Sequence, residues 1–144
     1  MMQANFLAKP GVRLARLRLQ NFRNFEDETL ELPPAGAAIT GANGQGKTNL
    51  LEAIYYLAMF RSFRGVRDDR LIRFGAEFFR LEARLASDGG TRAVAAAVGR
   101  RGPKRVWVDG AEVERVSDAV GRLPAVIFTA TDVEIVRGTP RERR

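Results

Sequence analysis

The sequence predicts an α/β fold with an added antiparallel β-region, and three observations point to it. Gly41-Ala42-Asn43-Gly44-Gln45-Gly46-Lys47-Thr48 fits G-x-x-x-x-G-K-[ST], the Walker A phosphate loop. The apolar run Ala37-Ala38-Ile39 precedes it and the helix-like stretch Asn49 to Ala58 follows it. Strand, glycine loop and helix together are the setting in which the motif has a mechanism. Further on, Phe79, Leu81, Ala83 and Leu85 alternate with Arg80, Glu82 and Arg84 up to a turn at Asp88-Gly89-Gly90, the pattern of a hairpin. The fold class is therefore α/β, a P-loop NTPase with an antiparallel β-subdomain.

Taken in order, residues 1–10 read as a leader expected to be disordered. They lack the basic start and long apolar middle of a signal peptide. Residues 11–144 are expected to form one domain-sized unit. Val12 to Gln20 is a half-buried strand with Ala15, Leu17 and Leu19 on one face. Asn21 to Phe25 is a turn whose two aromatics fold back on the sheet. Glu28 to Leu32 alternates again and stops at Pro33-Pro34. Gly36 to Thr40 is the strand that feeds the phosphate loop. The helix runs from Lys47 to about Phe60, with Leu50, Leu51, Ile54, Leu57 and Ala58 on its buried face. Tyr55 and Tyr56 read as core-edge aromatics rather than base-stacking platforms.

Arg61 to Arg70 is a charged, glycine-interrupted loop, and Leu71-Ile72-Arg73-Phe74 returns to the core. An antiparallel meander follows, with strands at Phe79–Leu85, Thr91–Val98 and Lys104–Val108 and basic or Asp-Gly turns between and after them. Ser117 is placed to cap a short helix through Leu123, which Pro124 ends. Ala125-Val126-Ile127-Phe128 reads as a buried strand beside the phosphate-loop strand. Thr131 or Asp132 caps a last short helix that stops at Gly138.

Composition narrows the function. The 144 residues include no cysteine and no histidine, which excludes disulfides, Cys/His zinc sites and His-dependent triads. A reducing cytoplasm is the expected location. No run of 18 apolar residues exists to form a membrane-spanning helix, so a membrane is not an expected partner. The net charge is +7, and because lysine occurs only three times, 21 of the 24 cationic residues are arginine. Such a balance is that of a polyanion partner, nucleic acid above all, or of an arginine-rich solvated surface.

The loop itself carries the chemistry. Its glycines let backbone N–H groups close around a phosphate, and the new helix points its positive end at the same place. Lys47 is expected to reach the β- and γ-phosphates of ATP, and the Thr48 hydroxyl to hold Mg²⁺. Hydrolysis needs a further carboxylate at the end of an apolar strand. Asp109 follows Val106-Trp107-Val108, but Gly110 makes it a turn residue; Asp132 lies four residues beyond Val126-Ile127-Phe128. Leu85-Ala86-Ser87-Asp88-Gly89-Gly90 imitates an L-S-x-G-Q signature but sits in a hairpin. The expectation is a chain that binds ATP weakly and does not turn it over.

With those residues in view, the sequence resembles the RecF family of bacterial DNA replication and repair ATPases. Leu17 to Phe25 looks like the family's opening strand, and Gly41 to Ile54 is similar to its Walker A segment, with Gln45 and Asn49-Leu50-Leu51-Glu52 favouring this family over other such heads. Arg61-Ser62-Phe63-Arg64, Phe128-Thr129 with Asp132, and Gly138-Thr139-Pro140 with Arg143-Arg144 also resemble it; Ala130 departs from the usual proline. The resemblance covers about residues 12–144 and implies an ABC-type ATPase head, first lobe, of the kind found in Rad50 and SMC proteins. It implies truncation too, since the family continues into a helical arm, a signature motif and a second acidic motif. By the same resemblance the phosphate loop with Asn49 and Arg64 contacts the nucleotide, Arg64 as a cis arginine near the γ-phosphate. Asp132 joins Thr48 at Mg²⁺. The implied partners are DNA at single-strand/double-strand junctions, RecO and RecR, and a second copy in an ATP-dependent homodimer; the implied role is to assist RecA loading. A non-catalytic nucleotide-binding fragment and another Rad50/SMC-like head remain the alternatives.

Overall fold

A computed structural model describes residues 11–128. The leader at 1–10 and the segment with Asp132 and the last expected helix lie outside the described residues.

Six strands form one antiparallel sheet: β1 (Arg13–Phe22), β2 (Phe25–Glu31), β3 (Phe78–Ser87), β4 (Gly90–Gly99), β5 (Arg105–Val108) and β6 (Ala111–Glu112). Their spatial order is β2-β1-β3-β4-β5-β6, so β2 and β6 are the rims. The one α-helix among the described residues, α1 (Lys47–Met59), packs on one face against β1, β3 and β4. Leu17, Leu19, Phe79, Leu81, Ala83, Val94, Ala96 and Val106 point at it and are buried. This two-layer arrangement follows from the period-two pattern of the strands meeting the apolar side of the helix.

β1 differs in detail from the alternation read in the sequence. The β1–β3 register shifts between Leu14 and Arg16, a bulge at Ala15. The extra residue turns Leu14 rather than Ala15 towards the core. At the far end, Phe22 is fully buried and stacks edge-on against Phe79, with ring centroids 5.2 Å apart. Phe79 meets Tyr56 of α1 in the same way at 5.3 Å.

The helix stops at Phe60, whose φ of 53° is left-handed and whose N–H donates to the Tyr56 carbonyl. A β-carbon costs about 1–2 kcal/mol in that conformation. Burial of the Phe60 ring offsets this, and the Lys104 ammonium donates to the Phe60 carbonyl. Lys104 also pairs with Asp68 at 2.8 Å and lies over the Tyr56 ring, so the β4–β5 turn is fastened to the C-terminal end of α1. Burial first, and Asp68 second, push the Tyr56 hydroxyl above its ordinary pKa, so it stays neutral.

Three expected elements are absent. Gly36 to Thr40 is not a strand, and Ile39 is 40% exposed. Ala125 to Phe128 is not a strand either, and Phe128 is exposed. A parallel strand is stable only between hydrogen-bonded neighbours. Among the described residues neither run has one. The helix from Ser117 to Leu123 is reduced to a 3₁₀ turn, Val116–Asp118. The Ser117 hydroxyl bonds to the Asp118 side chain instead of capping, although Ala119 and Leu123 still reach the core.

Candidate phosphate-loop site

The loop is set by the left-handed residues that precede α1. Gly44 and Gly46 have φ of 83° and 98°, and Gly46 is the N-cap. A β-carbon on Gly46 would stand 2.6 Å from the Asn24 amide, and one on Gly41 would stand 2.7 Å from Gln45 Oε1. Those neighbours are the ends of side chains that can swing aside, so it is the positive φ, 98° at Gly46 and 144° at Gly41, that demands glycine. No acidic residue lies in the first turn of α1, so the helix presents its positive end without a carboxylate beside it. Lys47 Nζ donates to the carbonyls of Gly41, at 2.7 Å, and Ala42, at 2.5 Å, which holds the ammonium over the loop.

Behind the loop lies a polar network that ties three segments together. Glu52, one and a half turns into α1, is fully buried. Arg23, in the β1–β2 turn, grips it with two bonds, Nε to Oε2 at 2.8 Å and Nη2 to Oε1 at 2.9 Å. The Ser62 hydroxyl donates to Oε1 at 2.5 Å, and Arg64 Nη1 to Oε2 at 3.2 Å. The same Arg64 nitrogen donates to Asn49 Oδ1 at 3.0 Å. Asn49 Nδ2 in turn donates to Asn24 Oδ1 at 2.8 Å, and Asn24 Nδ2 to the Gln45 carbonyl at 3.4 Å. Charge-assisted donors of this kind offset the hydration that a buried carboxylate loses.

Of the residues singled out in the sequence, Gly41, Ala42, Asn43, Gly44, Gln45, Gly46, Lys47 and Thr48 form one continuous loop and helix start, and Asn49 and Arg64 meet beside it. Asp132 lies outside the described residues. Thr48 is half-buried in the first turn of the helix. Among the described residues no three Asp or Glu side chains gather to hold a metal. A lone hydroxyl fits Mg²⁺ in its usual nucleotide mode, in which phosphate oxygens and water supply the other ligands. Asp109 is a turn residue with φ of 50°, its Oδ1 accepting from the Ala93 N–H at 2.8 Å.

Arg23, Asn24, Glu52 and Ser62 were not foreseen as parts of this site. One signal for them was present. Glu52 sits between Leu51 and Ala53 inside the buried arc of the helix, and a carboxylate in that position demands a cation.

Residues 13–129 match the family model described as the RecF/RecN/SMC N-terminal domain. The chain is 42% identical over 133 residues to the DNA replication and repair protein RecF of Chlamydia trachomatis serovar L2, covering 92% of this chain and 36% of that protein. It is 41% identical to the RecF of Staphylococcus haemolyticus over the same shares. The chain thus spans just over a third of the length of these curated relatives. Among solved structures, one of the recombination mediator protein RecF with ATP, in the RecFOR pathway, superposes with a TM-score of 0.83 at 32% identity, covering 96% of this chain and 38% of that one. A structure from work on ATP-driven dimerization of SMC ATPases matches in fold, with a TM-score of 0.75 at 20% identity over 91% of this chain and 95% of that one. The sheet and helix are thus those of RecF and SMC ATPase heads, and the chain belongs to the RecF/RecN/SMC N-terminal domain family, where its similarity is to the N-terminal part of RecF.

Proposed function

We propose that this chain is the ATP-binding portion of a RecF-type DNA replication and repair protein, with residues 11–144 forming the N-terminal part of its head. The observation that carries the reading is the loop Gly41–Thr48, its Lys47 ammonium and the uncompensated N-terminus of α1 converging on one spot. The phosphates of ATP lie on the loop's backbone N–H groups, and Lys47 exchanges its two carbonyl partners for phosphate oxygens. The Thr48 hydroxyl would hold Mg²⁺, and the ion would supply neutralisation of the phosphate charge. Asn49 and Arg64 border the same spot, and Asp132 is assigned to the metal by family likeness. The net charge of +7 supports a nucleic-acid partner. Its kind, DNA with single-strand/double-strand junctions, is inferred from relatives named for DNA repair and the RecFOR pathway. So are RecO and RecR as partners, assistance to RecA loading, ATP-dependent pairing of two copies and a cytoplasmic location.

Calorimetric titration of the chain with ATP and Mg²⁺ tests the core of this reading. Saturable binding is expected, weakened by at least about tenfold, or ~1.4 kcal/mol, in Lys47→Ala. Equal binding by the two proteins would overturn it. No steady hydrolysis is expected from the chain; turnover that Lys47→Ala abolishes would contradict that part.

A further inference from the structure

The buried carboxylate of Glu52 has more cation around it than it needs. Arg23 satisfies both its oxygens with a two-bond grip, and Ser62 adds a third donor. Arg64 then arrives as a second guanidinium, which gives Glu52 one bond through Nη1 at 3.2 Å and lies 5.7 Å from the centre of the Phe63 ring. That same nitrogen bonds to Asn49, the residue that follows Thr48. The Nε and Nη2 groups of Arg64 make no hydrogen bond among the described residues, and its side chain is 33% exposed, against 20% for Arg23. One arginine thus serves as the close counter-ion, whereas the other is more exposed and lies beside Asn49 at the start of α1. The loop that bears it is braced as well, because the Arg64 N–H donates to the Ser62 hydroxyl at 3.0 Å.

We infer that Glu52 is a positioning residue for phosphate binding. It pins Arg64 by one nitrogen beside Asn49 so that the remaining guanidinium N–H groups meet the phosphate chain lodged on Gly41–Thr48. The inference rests on the phosphate-loop reading above. It makes a prediction opposite in sign to simple electrostatics. Two guanidinium charges face one carboxylate, so neutralising Glu52 leaves the neighbourhood more positive by a full charge. If only net charge mattered, Glu52→Gln would bind a polyanion more tightly. If position matters, it binds more weakly. The new amide places an NH₂ against groups that are themselves donors, and Arg64 loses its post.

The test is ATP titration of the wild-type chain, Glu52→Gln, Arg64→Ala and the double variant, at a temperature where circular dichroism shows each folded. Glu52→Gln should weaken ATP about tenfold in the wild-type background and less than about twofold once Arg64 is alanine. Tighter or unchanged binding by Glu52→Gln would overturn the inference. An equal loss in both backgrounds would also overturn it, since that is what a merely structural role gives. If Glu52→Gln does not fold, Ser62→Ala loosens the same loop more gently. It should cost about threefold through Arg64, and no loss would overturn the inference. Lys47→Ala separates the two levels, because ATP binding that survives it removes the phosphate-loop reading whatever Glu52 does.

Discussion

Arg23→Ala should be among the most destabilising single changes in this chain, although Arg23 is neither in the core nor in the phosphate loop. The side chain gives Glu52 two charge-assisted bonds, at 2.8 and 2.9 Å, and the carboxylate it serves has no exposure to water. Removing one partner of a buried pair costs about 3–5 kcal/mol, because the remaining charge is stranded. Ser62 and Arg64 still donate to one oxygen each, which places the loss at the lower end, about 3 kcal/mol. In a domain of this size each kcal/mol moves the melting temperature by about 4 °C, so a drop of about 12 °C is expected. The backbone is not the cause. Arg23 has a left-handed φ of 54°, and alanine inherits the same strain. The assay is urea unfolding followed by circular dichroism for wild type, Arg23→Ala, Glu52→Ala and the double variant. The coupling between the two sites should exceed about 2 kcal/mol. A loss below about 1 kcal/mol, or strictly additive single variants, would refute the claim that Glu52 depends on Arg23.

Two further outcomes follow from the geometry. Gly46→Ala should weaken ATP binding by about tenfold, because its β-carbon would displace the Asn24 amide, which it would meet at 2.6 Å, and the left-handed backbone adds about 1–2 kcal/mol of strain. Gly46→Ala combined with Asn24→Ala should recover part of the stability measured by thermal melting, and no recovery would refute the clash. The Arg18 hydrogen bonds hold the Asp27 carboxyl below its usual 3.8, so the stability it contributes is present above that value and lost as pH falls through the lower, folded value. Asp27→Asn should therefore narrow its deficit against wild type as pH falls below about 4, and by less in high salt since the pair is exposed; a pH-independent difference would contradict it.

What could be read from the sequence depended on whether the signal was local. The β3–β4 hairpin was legible because Phe79, Leu81, Ala83 and Leu85 state both the period and the buried face, and the Gly90 turn pins the register. The start of α1 was legible because Gly46 and Lys47 mark a boundary with a chemical reason. Its end near Phe60 was legible too, but the left-handed conformation of Phe60 and its tether to Lys104, 44 residues away, were not. The runs Gly36–Thr40 and Ala125–Phe128 were misjudged for a related reason. Apolar residues record a tendency to be buried, but a strand also needs a neighbour, and the sequence of the run does not name one. The hub at Glu52 gathers Arg23 from 29 residues before it and Arg64 from 12 after it. Each of these residues was visible alone, and their meeting is a property of the fold.

The rim strand β2 has a consequence for how copies of this molecule meet. An outermost strand offers unpaired backbone groups that invite another strand to add to the sheet. Four of the seven residues of β2 are acidic, Glu26, Asp27, Glu28 and Glu31, in a chain that is otherwise rich in arginine. Glu31, Asp27 and Glu26 are paired with Arg16, Arg18 and Arg73, so a second copy adding to this rim would have to accommodate those charged pairs, and Pro33-Pro34 bars the ladder from extending past the strand's end. The sheet thereby discourages its own polymerisation at the rim where aggregation would otherwise begin.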